Sequence, residues 1–305
     1  MEKLLDRLIE KNRYLTQFGQ VANYIPALEK ANPEDIGICL IDGKGKQYCS
    51  GAYHKKFSIQ SISKVIALMV ALMDNGEEGV FKRVGMEPTD EPFNSFYKLD
   101  LPQGEKPANP MINSGAIVTT SLIKGEGEEK VNRLIYILRK ITSNHDITYN
   151  EEVFLSEKET GHKNRAIAYL LKNKGLLEGE VEEVLDAYFK QCSIEMDCRD
   201  LAKVGWFLAN KGRILKSKEQ VCSEEIITTI LAIMTTCGMY NFSGEYAVRV
   251  GIPSKSGVAG GILAAAVNGM GIGVYGPALD QYGNSIAGYG ILKDLSKELN
   301  LNIFY

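Results

Sequence analysis

The sequence predicts an α+β fold in which one antiparallel sheet, with flanking helices, is built from both ends of the chain and an all-helical lobe is inserted between its halves. Three observations support this prediction. Strand-like runs with turn signals occur near the start of the chain and again after Gly244. Between them, from about 115 to 236, apolar residues recur every three or four positions, as in amphipathic helices. We therefore expect a sheet lobe at 1–60 and 245–305 and a helical lobe at 61–244, forming one integrated unit.

The first part of the chain supplies a hairpin and a buried helix. After an amphipathic helix near 2–18, the β-like runs IGICLID at 36–42 and KQYCSGA at 46–52 are joined by the turn-rich segment DGKG. The run SISKVIALMVALMDN at 61–75 is apolar nearly all round and ends before Gly76. It predicts a central helix that is buried on every side.

The remainder of the chain leads through an irregular connection and several helices back to strands. Residues 84–112 hold several Pro and Gly between short apolar fragments, which predicts a long irregular connection. Beyond Gly244 the segments YAVRVG, KSGVAGGILAAAV and MGIGVYG are strand-like, and Asn268-Gly269 between the last two predicts a hairpin. The segment SIAGYGILKDLSKELN predicts a closing amphipathic helix.

Composition favours small-molecule chemistry. The 305 residues carry a net charge of −3, so there is no basic excess for binding nucleic acid or an anionic membrane surface. The longest apolar run, VIALMVALM, is far shorter than the roughly 20 residues that cross a bilayer. The N-terminus lacks the apolar core of a secretion signal. We therefore expect a cytoplasmic protein without nucleic-acid or membrane partners.

The cysteines and histidines do not predict a metal site. The six cysteines contain no CxxC pair, which fits reduced, mostly buried thiols better than a disulfide framework or a zinc site. The three histidines lack an HExxH motif or a nearby carboxylate cluster. A Ser-His-Asp triad is not excluded by residue count, but no GxSxG motif surrounds any serine.

One serine–lysine pair differs from the others by its place in the predicted fold. The Ser-x-x-Lys spacing occurs at Ser61–Lys64, Ser95–Lys98 and Ser121–Lys124. Three occurrences give the spacing little weight by itself. Ser61, however, opens the buried helix, whose dipole favours developing negative charge, and Lys64 follows one turn later on the same face. A desolvated lysine can take the serine proton, whereas the ordinary alternative is that Ser61 only caps the helix and Lys64 is solvated.

A second motif, KSG at 255–257, precedes a glycine-rich segment. In serine acyl-transfer enzymes with a Ser-x-x-Lys nucleophile, a Lys-Thr/Ser-Gly strand lines the opposite wall of the site. The small residues that follow let the backbone approach a substrate, so the amides of Ser61 and Val258 can form an oxyanion hole. The alternative is a packed strand in which Gly260 and Gly261 permit close helix contact. No SDN triplet lies between the two motifs, which argues against a plain β-lactamase and calls for another proton relay.

Several segments, in order, resemble motifs of the bacterial glutaminase family: IQSISKV, NPMINSGAI, SEKETGHKNRAIAYL, YFKQCSI, TTCGMYNFSGE and KSGVAGGI. The resemblance extends from about Tyr24 to Gly276. It implies a serine β-lactamase-like fold and hydrolysis of L-glutamine to L-glutamate and ammonia, without a metal or an organic cofactor. It also suggests a homodimer or a homotetramer.

The resemblance implies a role for each matching residue. Ser61 is the expected acylated nucleophile and Lys64 its base partner. The family's substrate contacts correspond to Tyr24, Ser61, Asn113, Glu157, Asn164, Tyr188, Tyr240 and Val258. Glu157 suits the substrate ammonium, while Tyr188 and Tyr240 are both candidates for proton transfer to the leaving ammonia. Taken singly, the asparagines could be helix caps, the glutamate a solvated charge and the tyrosines core aromatics.

Two other functions are compatible with the sequence. A different amidase or esterase on the same scaffold would form a stable Ser61 adduct with another acyl substrate. A non-catalytic amino-acid binding protein would bind glutamine without turnover. The presence of both Ser61 and Lys64 argues against this second alternative, because binding alone requires neither.

Overall fold

The structure, a computed structural model, describes residues 1–92, 94–95 and 106–304 and contains one five-stranded sheet. Its strands are β1 (Gly37–Ile41), β2 (Gln47–Gly51), β5 (Ser254–Ser256), β6 (Gly261–Ala266) and β7 (Met270–Tyr275). They lie in the order β2-β1-β7-β6-β5, and every neighbouring pair is antiparallel. A small second sheet pairs β3 (Phe57–Ser58) with β4 (Glu195–Met196). The predicted sheet, built from both ends of the chain, is therefore confirmed.

Helices account for most of the remaining described residues. The α-helices are α1 (Glu2–Asn12), α2 (Ser63–Phe81), α3 (Asn113–Ser121), α4 (Glu128–Thr142), α5 (Glu151–Thr160), α6 (His162–Asn173), α7 (Val181–Cys192), α8 (Cys198–Ala209), α9 (Glu224–Cys237), α10 (Ser243–Arg249) and α11 (Ile286–Leu299). Short 3₁₀ turns lie at Arg13–Phe18, Pro26–Lys30, Gln60–Ile62 and Tyr240–Phe242. The α+β fold class is confirmed.

Helix α2 is the buried central helix that the apolar run predicts. All its residues from Ser63 to Leu72 are buried. The regular helix ends at Gly76, whose φ of 68° and ψ of 174° are accessible almost only to glycine. At its start, the 3₁₀ turn Gln60–Ile62 leads directly into Ser63. This turn places Ser61 at the entrance to the buried helix.

Helix α8 packs closely on the central sheet, against β1, β6 and β7. Gly271 permits this contact, because a Cβ atom there would lie 2.0 Å from the backbone nitrogen of Trp206. The opposite face of the sheet is covered by α1 and α11, which form a separate apolar cluster with it. Helix α8 belongs to the predicted helical lobe, 61–244, and yet packs on the sheet of the other lobe. The division into a sheet lobe at 1–60 and 245–305 and a helical lobe at 61–244 therefore stays a prediction.

Two sequence expectations are wrong. The segment YAVRVG is not a strand: most of it lies in α10, which buries Tyr246 and exposes Val248. The six cysteines are not all free thiols, because Cys39 and Cys49 lie opposite each other on β1 and β2, with Cα atoms 4.2 Å apart, and form a disulfide. The sequence gives no sign of this pairing, since it depends on the register of the hairpin.

Part of the predicted connection at 84–112 lies outside the described residues, as does Lys98 of the second serine–lysine pair. Across the described part of the chain, no single helix is both long and apolar enough to cross a membrane. Only α9 taken with Tyr240–Arg249, a pair bent by 87°, meets those two criteria.

Candidate active site

Ser61 lies in the 3₁₀ turn before α2 and is 7% exposed. The end of β5 packs against this turn so closely that a Cβ on Gly257 would lie 2.6 Å from the carbonyl oxygen of Ile59. The phenol of Tyr240 lies beside the Ser61 side chain and interacts with it. The two motifs that the sequence analysis singled out, SISK and KSG, therefore meet at one place.

Lys64 is completely buried one turn beyond Ser61. Its Nζ donates hydrogen bonds to Asn113 Oδ1 at 2.7 Å and to the carbonyl oxygen of Met111 at 3.2 Å. Burial lowers the pKa of Lys64 to about 8, a shift that the nearby Cys192 and Glu157 partly oppose. A lysine with this pKa is neutral in about a tenth of the molecules at pH 7, and in that form it can accept a proton.

The serine–lysine pair at Ser121 and Lys124 does not form a comparable site. The Ser121 hydroxyl donates to the carbonyl oxygen of Val118 within α3, while Lys124 is exposed to solvent. The shared spacing therefore carries no chemistry there. It is burial of the lysine that distinguishes Lys64.

A cavity of about 210 Å³ opens onto Ser61. Of the eight predicted substrate contacts, six line it: Tyr24, Ser61, Asn113, Glu157, Asn164 and Tyr188. The other two lie beside it: Tyr240 contacts Ser61, and the Val258 side chain belongs to an apolar cluster against which Tyr240 packs. All the predicted residues thus converge on one region, although they come from elements far apart in sequence.

Glu157 supplies a buried carboxylate to this cavity and is only 8% exposed. Its helix, α5, is capped at its N-terminus by Asn150, whose side chain accepts a hydrogen bond from the Val153 amide. Burial raises the pKa of Glu157 to about 7, and a hydrogen bond from Gln60 and the charge of Lys64 act in the opposite direction. The neighbouring Glu159 is exposed, so the solvated-charge interpretation fits that residue but not Glu157.

The two predicted asparagines are joined to each other and to the lysine. Asn113 Nδ2 donates to Asn164 Oδ1 at 3.0 Å, while Asn113 Oδ1 accepts from Lys64. Asn113 does not act as a helix cap, because α3 begins with it and its side chain points to these partners instead. The chain of hydrogen bonds fixes the orientation of both amides at the wall of the cavity.

The three predicted tyrosines differ in exposure. Tyr188 on α7 is 3% exposed, and burial raises its pKa. Tyr24 is 52% exposed as a whole residue. It lies shortly after Gln20, whose backbone pairs with that of Leu279. Burial of the Tyr24 hydroxyl nevertheless raises the pKa of this residue. Tyr240 is intermediate; its phenol donates to the carbonyl oxygen of Ser256 at 3.2 Å, and burial raises its pKa as well.

Backbone strain occurs on both sides of Ser61. Gln60 has a φ of 48° and Tyr240 has a φ of 53°, values that are uncommon for residues other than glycine. Such conformations persist only where the surrounding structure enforces them, and they cluster at functional sites. The strain supports the assignment of this region as the site of chemistry.

Sequence reasoning did not identify seven other residues of the cavity wall, among them Gln60, Asn94 and Cys192. Cys192 could have been found, because it lies four residues after Tyr188 and therefore on the same face of α7. Gln60 precedes Ser61 without any distinguishing feature in the sequence, and its place in the cavity wall depends on its left-handed backbone. Asn94 lies in the irregular connection, where no periodicity indicates a direction.

The family model for glutaminase matches residues 19–304. The match covers nearly all of the chain and includes every element that lines the cavity. This chain belongs to the glutaminase family. The family prediction made from the motifs is therefore confirmed.

Individual glutaminases are similar over their full length. Glutaminase 2 of Clostridium perfringens is 55% identical over 305 residues, covering 100% of both proteins. The glutaminase of Clostridioides difficile is 54% identical over 304 residues, covering 99% of this chain and 98% of that protein. The solved covalent complex of the Bacillus subtilis glutaminase YbgJ with 5-oxo-L-norleucine is 41% identical, with a TM-score of 0.91 and 99% of both chains covered. This likeness also bears out the predicted fold.

Proposed function

We propose that this glutaminase hydrolyses L-glutamine to L-glutamate and ammonia through an acyl-enzyme on Ser61. The observation that carries the proposal is the buried Lys64, with its pKa lowered to about 8, one turn from a serine at the wall of a cavity. The Ser61 hydroxyl oxygen attacks the carbon of the substrate carboxamide, and Lys64 takes its proton. The amides of Ser61 and Val258 are the proposed donors to the resulting oxyanion.

Collapse of the tetrahedral intermediate breaks the carbon–nitrogen bond and requires a proton on the leaving nitrogen. We assign this transfer to Tyr240, because its phenol lies beside the Ser61 side chain and interacts with it. Tyr188 lies deeper, and its pKa is raised partly by the charge of Glu157. Its proposed role is to contact the substrate. Water then attacks the acyl-serine and releases glutamate.

The cavity can distinguish the two ends of glutamine. The buried carboxylate of Glu157 is the proposed partner of the substrate ammonium, since a buried charge requires an opposite one. Asn113, Asn164 and Tyr24 offer hydrogen bonds to the amino-acid head. A covalent complex of the Bacillus subtilis relative with 5-oxo-L-norleucine supports a site in which a molecule of this size becomes bonded to the enzyme.

The first test is ammonia release from L-glutamine, with L-asparagine beside it, by the wild type and by Ser61→Ala. We expect Ser61→Ala to remove turnover, because no other group supplies the attacking oxygen in the first step. Ser121→Ala is the matched control: it has the same Ser-x-x-Lys spacing, lies in α3 and should keep its activity.

Turnover that survives in folded Ser61→Ala would refute the acyl-enzyme on this residue. A wild type that binds glutamine without releasing ammonia would instead indicate an amino-acid binding protein. Release of another acyl product, with a stable Ser61 adduct, would indicate a different amidase or esterase.

We also expect a homodimer or homotetramer, on the strength of the family resemblance, and a cytoplasmic location, because the N-terminal segment lacks the apolar core of a secretion signal. Sedimentation velocity would distinguish either assembly from a monomer.

A further inference from the structure

A second completely buried lysine, Lys255, lies beside the reaction centre and has no part in the steps above. Its Nζ donates hydrogen bonds to the carbonyl oxygens of Gly238 at 3.0 Å and Ser256 at 2.7 Å. The same nitrogen lies over the ring of Tyr240, 4.3 Å from the ring centroid.

Each of the three contacts acts on the segment that presents Tyr240. Gly238 packs so closely on β5 that a Cβ there would lie 1.8 Å from the carbonyl oxygen of Ser254. The Ser256 amide donates to the carbonyl oxygen of Gly238 at 3.1 Å, and the Tyr240 phenol donates to the Ser256 carbonyl. Two hydrogen bonds therefore join the segment 238–240 to β5, one at Gly238 and one at Tyr240. Lys255 contacts both of these residues.

Tyr240 needs such support because its backbone has a φ of 53°, a conformation that is unfavourable for a residue other than glycine. We propose that Lys255 is a positioning residue that keeps the Tyr240 phenol against Ser61 in the reactive geometry. The proposal rests on the relay role assigned to Tyr240 in the proposed function. A cation or amine over an aromatic face stabilises the position of the ring, and the two carbonyl contacts fix the backbone on either side.

The surroundings of Lys255 distinguish it from an ion-pair lysine. None of the salt bridges among the described residues involves it. Burial, and next the charge of Lys64, hold the pKa of Lys255 well below its usual range. Its interactions are therefore with two carbonyls and one ring, and two of these three partners belong to the segment that carries the relay.

The test is a double-mutant cycle on kcat with Lys255→Met and Tyr240→Phe. Methionine keeps the length of the side chain and removes its donors, and phenylalanine keeps the ring and removes the phenol. In the wild-type background we expect Lys255→Met to lower kcat by about tenfold or more, but by no more than the roughly 10²–10⁴-fold that a proton-transfer group typically contributes, with little change in KM. In the Tyr240→Phe background, the same substitution should have almost no further effect on kcat.

Lys130→Met is the matched control. Lys130 is also a buried lysine that donates to two backbone carbonyls, those of Ser121 and Ile123, but it lies away from the cavity. We expect it to lower stability without changing kcat. Should Lys255→Met fail to fold, the cycle is run with Lys255→Gln, which keeps a hydrogen-bond donor.

An equal loss of kcat from Lys255→Met in both backgrounds would overturn the proposal, as would a raised KM with unchanged kcat. If Tyr240→Phe alone leaves kcat unchanged, the relay role of Tyr240 is refuted and the positioning role fails with it. The acyl-enzyme on Ser61 would stand in either case, because Ser61→Ala tests it separately.

Discussion

Two ionisable residues at the candidate active site, Glu157 and Lys64, have pKa values shifted toward neutrality by the same cause, burial. The shifts have opposite signs, because burial disfavours the anion of a carboxylic acid and the cation of an amine. Each residue nevertheless needs the higher-pH form for its proposed role. Glu157 must be ionised to attract the substrate ammonium, and Lys64 must be neutral to accept the serine proton.

The expected result is that kcat/KM rises as the pH increases through the two values, about 7 for Glu157 and about 8 for Lys64. This ratio reports ionisations of the free enzyme. Glu157→Gln should lower kcat/KM by about tenfold to a hundredfold, mainly through KM, because it removes a charged hydrogen-bond partner. The kcat/KM of this variant should still rise with pH as Lys64 loses its proton.

Steady-state kinetics across this pH range, with Glu159→Gln as the control, checks the expectation. Glu159 lies on the same helix but is exposed, so its substitution should leave the profile unchanged. A kcat/KM that falls as the pH rises through 7 and 8 would contradict the assigned protonation states.

At the level of single residues, burial decides what could be predicted. The Lys64 site could be predicted because the lysine lies in the first turn of a segment that is apolar nearly all round, on the same face as Ser61. Glu157 could not be recognised by that argument, since its neighbours in SEKETGHK are charged and two residues on the same helix, Lys158 and Glu159, remain partly or fully exposed. Only the family motif identified it.

At the level of elements, local pattern predicts a segment well where packing and propensity agree. The hairpins around DGKG and Asn268-Gly269 were predicted correctly because turn residues and flanking strands indicate the same structure. YAVRVG was misjudged because its valines favour a strand, whereas Tyr246 packs into the core as part of α10. Tertiary packing outweighed propensity there.

Gly76 gives a prediction about an element boundary. Gly76→Ala should destabilise the protein by about 1–3 kcal/mol, because a residue with a Cβ resists a φ of 68° with a ψ of 174°. No atom lies within 4 Å of the position where the Cβ would be, so the cost comes from the backbone alone. Urea unfolding measures the change, and kcat should be unaffected.

Gly244→Ala is the opposite case and serves as the control for Gly76→Ala. Gly244 lies in α10 without a positive φ and also has open space at the Cβ position. Alanine there should be neutral or stabilising by up to about 1 kcal/mol. Equal losses of stability for the two variants would show that the backbone conformation at Gly76 is not the cause.

At the level of the whole molecule, the central sheet joins the two ends of the chain, and the cavity residues come from segments between 24 and 258. Strand order and the convergence of distant side chains depend on contacts that no local pattern records. The sequence therefore predicts that a sheet forms from both ends, but the order β2-β1-β7-β6-β5 and the shape of the cavity required the structure.

Helix α1 provides the whole-molecule prediction, because it lies before the family match at 19–304 and yet belongs to the core. Leu5, Leu8 and Ile9 are at most 3% exposed and pack with α11 and the sheet. Leu8→Ala should lower the free energy of unfolding by about 2–5 kcal/mol, since it leaves a cavity between these elements. The kcat and KM of the folded variant should be unchanged, because α1 does not line the active-site cavity.

Urea unfolding followed by circular dichroism measures this effect, with Lys3→Ala as the control on the same helix. Lys3 is exposed, so its substitution should change stability by no more than about 0.5 kcal/mol. If Leu8→Ala were as stable as Lys3→Ala, α1 would be only loosely docked and the sheet would be stable without that cover. If Leu8→Ala is strongly destabilised while KM is retained, the helix that precedes the family match stabilises the fold without contributing to the chemistry.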